Sequence, residues 1–237
     1  MKKLVGVLRF VAAVVISLVS ATIIIISIPF DPRGLFFHAV SRVWAHVTLF
    51  VCGVRLRVRG LEHIDRTTSY VYVSNHASMF DIPAIIAGIP DQIRVVYKKE
   101  LEKIPLFGWG LKWGAYIGID RGRTNESIRS LEEAIAKIQH GASVLLYAEG
   151  TRTQDGNLQP FKRGAFHIAV RAGVPVVPLT VNGSYGILPK HSFSINPGTV
   201  ELILERPIYL GGKSGKETEL QLMQQVHAAI STHYIDQ

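Results

Sequence analysis

Apolar and polar positions along the chain change their rhythm near residue 54. Before it, Phe10 to Ile28 is a run of 19 uncharged, mostly apolar residues closed by Pro29, long enough to cross a bilayer as a helix. Leu35 to Val54 is also apolar and aromatic but carries His38, Arg42 and His46, which suits an amphipathic helix at a membrane interface. Beyond it, short runs of period two alternate with helical periods. Val54, Leu56 and Val58 interleave with Arg55, Arg57 and Arg59 as a half-buried strand. Tyr70 to Val73 reads as a buried strand, and about Met79 to Gly88 as a short apolar helix. Ile93 to Tyr97 is the next strand, followed by KKELEKIPLFGWGLKWG, a basic and aromatic helical stretch with Trp109 and Trp113 on one face.

Tyr116 to Ile119 predicts a strand, and Asn125 caps a helix with Ile128, Leu131, Ile135 and Ile138 on one face, stopped by Gly141. Ser143 to Ala148 is an apolar strand and Arg163 to Ala172 a small helix. Pro175 and Pro178 within the run Val174 to Val181 predict an edge or irregular strand. A strand from Thr199 to Glu205 and an amphipathic helix from Glu217 to about Tyr234 close the chain. This alternation predicts an α/β fold, a mostly parallel sheet flanked by helices, preceded by a membrane-anchoring helical segment. The expected division is residues 1–53 as anchor and 54–237 as the α/β domain.

Charge sharpens the picture of the N-terminal segment. Residues 1–60 hold eight Lys or Arg against Asp31 alone, whereas the other 177 carry 18 basic and 17 acidic groups. A nucleic-acid binder needs a basic face on its folded domain; here the excess flanks an apolar run, which points to anionic lipid headgroups. Lys2, Lys3 and Arg9 would also suit a signal peptide, but the run is long for one and no small-x-small cleavage site follows it, so retention is expected. Basic residues on both sides of the run are best satisfied by a two-helix anchor with both ends cytoplasmic. The single cysteine, Cys52, excludes an internal disulfide, and no histidine has metal-ligand spacing.

The chemistry concentrates after the strands. In Ser74 to Pro83, SNHASMFDIP, His76 and Asp81 are five positions apart across a turn, so the carboxylate can fold back onto the imidazole and fix its tautomer for general-base work. Ser78 and Asp81 equally fit a helix capping box. Arg121 and the Glu149-Gly150-Thr151-Arg152 loop each follow a strand, as His76 does. In a parallel sheet all three lie along one edge, where ligands bind. A base beside two arginines and a glycine-containing loop points to deprotonation of a hydroxyl on a phosphorylated substrate.

Asn75-His76-x-Ser78-x-x-Asp81 resembles the first motif of the glycerolipid acyltransferases, most of all the bacterial 1-acylglycerol-3-phosphate (lysophosphatidate) acyltransferases. Glu149-Gly150-Thr151-Arg152 resembles their third motif, Val174-Pro175-Val176-Val177-Pro178 their fourth, and Ile119-Asp120-Arg121 the end of their second. Ala115 and Gly118 stand where the second motif usually has Gly and Phe, and Ala148 where Pro is common before the glutamate.

The resemblance implies that His76 takes the proton of the acceptor's sn-2 hydroxyl while Asp81 orients the imidazole. Direct transfer from an acyl thioester, acyl-CoA or acyl carrier protein, would then give phosphatidic acid with no other cofactor and no metal. It implies that Arg121 and Arg152 hold the acceptor phosphate, with Gly150 and Thr151 as donors at the same site; Lys162 and Arg163, before Gly164 at a helix start, either extend that site or are simply solvated. Glu149 would hold an arginine or the acceptor hydroxyl, and Asn75 would position the loop or serve an oxyanion. Ser78 reads as a cap and not a nucleophile. The expected setting is the cytoplasmic face of the inner membrane. Other lyso-lipid acceptors, glycerol 3-phosphate, and a non-catalytic membrane scaffold are the competing readings.

Overall fold

The computed structural model describes residues 2–119 and 124–235, with only the backbone for 124–131. Among them a seven-stranded sheet has the order β1-β7-β6-β2-β5-β3-β4. The strands are β1 (Val54–Arg59), β2 (Val71–Ser74), β3 (Ile93–Lys98), β4 (Ile117–Ile119), β5 (Ser143–Tyr147), β6 (Val176–Asn182) and β7 (Gly198–Leu204). Every pairing is parallel except β6 with β7. The mostly parallel α/β sheet read from the sequence is therefore present, with β1 and β7 reversed relative to the other five strands.

Burial on both faces explains the near-continuous apolar sequence of the central strands. Alternation still divides them: Tyr70, Tyr72, Leu145 and Val177 enter one core, Val71, Val73, Val144 and Val176 the other. Helices α2 (Leu35–Cys52) and α3 (Asp81–Gly88) cover the first core. Helices α5 (Thr124–Gln139), α6 (Arg163–Ala172) and α8 (Lys216–His233) cover the second. A one-turn helix, α7 (Ser184–Ile187), links β6 to the loop before β7.

Helix α1 (Lys2–Ser27) lies along the domain. Near its start the Gly6 carbonyl accepts from the Ile195 amide at 3.0 Å. In its second half Ala21 meets Gly110 of α4 (Phe107–Trp113), where a Cβ on the glycine would lie 3.4 Å from that of Ala21. Trp44 of α2 donates to Ser17 Oγ at 2.9 Å. Ala45, Leu49 and Cys52 join the core beneath α2. The outward face of α1 and α2, including Leu4, Leu8, Val15, Ile26, Val43 and Phe50, is exposed and apolar. A face of that extent marks association with a membrane.

Three local expectations are corrected. Pro178 is interior, since β6 lies between β2 and β7. The Pro178 carbonyl accepts from the Glu205 amide at 3.0 Å on the β7 side, where paired register ends at Leu179 and Leu204. The N–H that proline lacks would have pointed the same way, so the lost bond falls at the end of the ladder. The basic aromatic stretch is broken: a 3-10 segment over Lys99–Lys103 is separated from α4 by Pro105 and by Leu106, whose φ is 61°. The Phe107 amide reaches the Pro105 carbonyl there at 2.7 Å, a three-residue turn that interrupts helical pairing. Asn125 lies within α5, which begins at Thr124.

Candidate active site

β2 and β5 are parallel neighbours with Ser74 opposite Tyr147, so the His76 and Glu149 loops leave the sheet side by side. Their backbones are cross-tied. The His76 amide donates to Glu149 Oε1 at 2.7 Å, and the His76 carbonyl accepts from the Thr153 amide at 2.9 Å. On the other side, Asn75 Nδ2 donates to the Val181 carbonyl at 2.9 Å and Asn75 Oδ1 accepts from the Val181 amide at 2.8 Å. Buried Asn75 thus fastens the loop to β6. Both amide atoms bond the Val181 backbone, which is the geometry of the positioning role read from the sequence.

His76 is brought to Asp81 by the turn over 77–80. Nδ1 lies 2.7 Å from Asp81 Oδ2, which also accepts from the Ala77 and Ser78 amides at 2.9 and 3.0 Å. One oxygen therefore ties the turn before α3 and orients the imidazole, while the capping box read from the sequence does not form: α3 begins at Asp81 with Phe80 at its N-cap and no side-chain cap bond. Ser78 Oγ donates to the Leu188 carbonyl and accepts from the Phe80 amide. Fully buried, it is a structural hydroxyl.

An ionised carboxylate only accepts, so the proton of a neutral His76 sits on Nδ1 and Nε2 carries the lone pair. No described residue hydrogen-bonds Nε2, and the ring is 13% exposed. Tyr147 stacks on the imidazole with centroids 3.8 Å apart and planes inclined by 13°. Its hydroxyl is buried without a hydrogen-bond partner among the described residues. Burial, then the negative charge of Asp81, pushes its pKa well up, so it stays a neutral phenol.

Glu149 is 2% exposed and also accepts from the Gln159 amide at 3.3 Å. Burial pushes its pKa up to about 7, against the two amide bonds, with Asp81 and Asp155 adding to the rise. Its carboxylate is occupied by backbone, which makes it a tie between loops. Gly150 adopts φ +71°, and a Cβ there would lie 3.1 Å from Lys162 Cδ, so the Lys162 stem covers the glycine. Thr151 is exposed and Arg152 half-buried. Burial lowers the Arg152 pKa while Asp81 opposes it, placing the guanidinium within electrostatic range of the His76 partner. Arg121 lies outside the described residues. The strand before it, β4, ends on the same sheet edge, two strands beyond β5.

Sequence reading missed Tyr147, Thr153 and Gln159. Tyr147 had one available signal: on a strand it shares a face with Glu149, two positions on. The stack itself depends on β2 lying beside β5.

Comparison with known proteins adds to this geometry. The family described as Acyltransferase matches residues 55–182. A chloroplastic 1-acyl-sn-glycerol-3-phosphate acyltransferase of Brassica napus is 35% identical over 75% of this chain and 52% of its own length. An enzyme of the same name from Pseudomonas aeruginosa is 32% identical over 86% of this chain and 79% of its own. The chain spans about half the length of the plant relative. The crystal structure of the 1-acyl-sn-glycerophosphate acyltransferase from Thermotoga maritima superposes with a TM-score of 0.81 at 26% identity, covering 97% of this chain and 93% of that one.

Proposed function

The chain belongs to the acyltransferase family, and from that membership we propose that it acylates the sn-2 hydroxyl of 1-acyl-glycerol-3-phosphate, giving phosphatidic acid. The observation that carries this reading is the His76–Asp81 pair, with Nε2 free of described partners, at the sheet edge it shares with Arg152 and Lys162. Nε2 takes the proton of the acceptor hydroxyl, and the Asp81 carboxylate stabilises the imidazolium through Nδ1–H. The hydroxyl oxygen forms a bond to the thioester carbonyl carbon. The tetrahedral intermediate collapses with cleavage of the C–S bond, and the departing sulfur takes the proton back from Nε2.

Arg152, Lys162 and Arg121 bind the acceptor phosphate, for which a guanidinium fork and an ammonium are the suited partners. Gly150 and Thr151 supply further donors, while Asn75 and Glu149 hold the loops that present His76. The acyl donor is a soluble thioester, acyl-CoA or acyl carrier protein, so the edge faces the cytoplasm at the inner membrane. The apolar face of α1 and α2 keeps the lipid acceptor near its bilayer, sparing ~0.8 kcal/mol per methylene exposed to water.

The test is thiol release from acyl-CoA with lysophosphatidate as acceptor. Wild type should release thiol only when the acceptor is present, and His76→Ala should lose ~10²–10⁴-fold, the range for a general base. Acceptor-independent release, or an unimpaired variant, would refute the assignment. Silence with acyl-CoA and activity with acyl carrier protein would identify the donor.

A further inference from the structure

At the sheet edge opposite His76, where β3 and β5 begin, a cavity of about 720 Å³ opens between the α1–α2 turn and the end of α5. Arg94 lines it while only 6% exposed. Its guanidinium donates to the carbonyls of Arg33 at 3.0 Å and Gly34 at 3.4 Å. These are neutral acceptors, and no carboxylate among the described residues lies within ion-pair distance of it. Asp31 is near enough to act on its charge, but the Asp31 oxygens already accept the Leu35 and Phe37 amides at 2.8 and 2.7 Å. Buried guanidinium groups are ordinarily matched by an anion. Burial holds Arg94 below its ordinary pKa, the direction an arriving anion would reverse.

Arg33, Lys137 and His140 line the same cavity. His140 donates from Nδ1 to the Ala136 carbonyl at 2.6 Å, so Nε2 can donate to an anion only when the ring is protonated. Leu35 and Trp113, both exposed, form an apolar rim beside Ile28. The rim continues into the outward apolar face of α1 and α2. A site with a cationic floor and an apolar rim, at the end of two membrane-seeking helices, matches an amphiphile with a phosphate head.

We propose that this cavity binds the phosphate headgroup of an anionic membrane lipid, separately from the acceptor site at His76. Arg94 and Arg33 would supply guanidinium donors, with Lys137 the third charge. The lipid's glycerol and upper chains would pass between Leu35 and Trp113.

The experiment is equilibrium binding of dioctanoylphosphatidylglycerol to the full chain in a neutral detergent. This lipid is neither acceptor nor product of the proposed reaction, so the result stands whether or not acyl transfer is found. Arg33→Gln and Lys137→Gln should each weaken binding at least fivefold. Arg57→Gln, the same charge change on the distant β1, should leave it within twofold. Arg94→Lys is informative if its unfolding midpoint matches wild type, and should then weaken binding as Arg33→Gln does. Dioctanoylphosphatidylcholine should bind at least tenfold more weakly. Inorganic phosphate separates the sources: failure to compete identifies the lipid headgroup, whereas full competition with the same Arg33 dependence overturns the lipid assignment in favour of a free anion. Absence of binding, or equal losses in Arg33→Gln and Arg57→Gln, overturns the site.

Discussion

Replacing Glu149 by Gln removes a buried charge while keeping the side chain's size. Glu149 titrates at about 7 in the folded chain against 4.5 for a free glutamate, because burial disfavours its ionised form. Between those values the folded state binds more protons than the unfolded one, so this group's contribution to stability falls as pH rises through the window. At 1.36 kcal/mol per pH unit of displacement the whole effect is ~3 kcal/mol, of which ~2.5 kcal/mol falls between pH 5 and 8. For a chain of this length that corresponds to ~5–10 °C in unfolding midpoint.

Glu149→Gln has no proton to take up. The midpoint difference between wild type and variant should therefore shift by that amount across the range, wild type losing ground as pH rises. Thermal unfolding of the detergent-solubilised chain, followed by tryptophan fluorescence at pH 5, 6, 7 and 8 at one scan rate, measures it. A difference independent of pH, or one that moves in favour of wild type as pH rises, would refute the argument that burial governs this carboxylate.

Tyr147→Phe keeps the ring on His76 and removes an unpaired buried hydroxyl, so thiol release should persist with stability raised by ~1 kcal/mol. Tyr147→Leu should lower kcat ~10-fold with KM little changed, since the ring steadies the imidazolium and not the acceptor; equal kinetics for the two variants would show the stack to be incidental. Asn75→Ala leaves both Val181 backbone groups without their side-chain partners and should cost ~2–4 kcal/mol in a denaturant titration. A loss below ~1 kcal/mol would mean that water replaces the amide.

Much of the fold was legible because periodicity is local. The inward set of β1 and the buried faces of α6 and α8 follow from residues a few positions apart. Pro178 misled for a related reason: proline removes a donor wherever it sits, but whether that donor is needed depends on where the neighbouring strand stops. At the site, the five-residue spacing of His76 and Asp81 made their pairing readable, since one turn brings them together. Glu149 was visible as part of the loop motif. Its bond to the His76 amide was not, because it spans 73 positions and exists only through the pairing of β2 with β5.

By itself, then, the sequence determined the alternation of strand and helix, the apolar N-terminal run, and the ordered set of polar groups placed after strands. Each of these is carried by one contiguous segment and its own backbone geometry. Tertiary structure alone decided that β2 lies between β5 and β6, which ties Asn75 to Val181, His76 to Glu149, and the imidazole to Tyr147. It alone laid α1 along the domain and left Arg94 buried beside a basic cavity. Contacts of that kind follow from strand order and helix docking, which are set by the joint burial of apolar faces from distant segments, and no single stretch of residues encodes them.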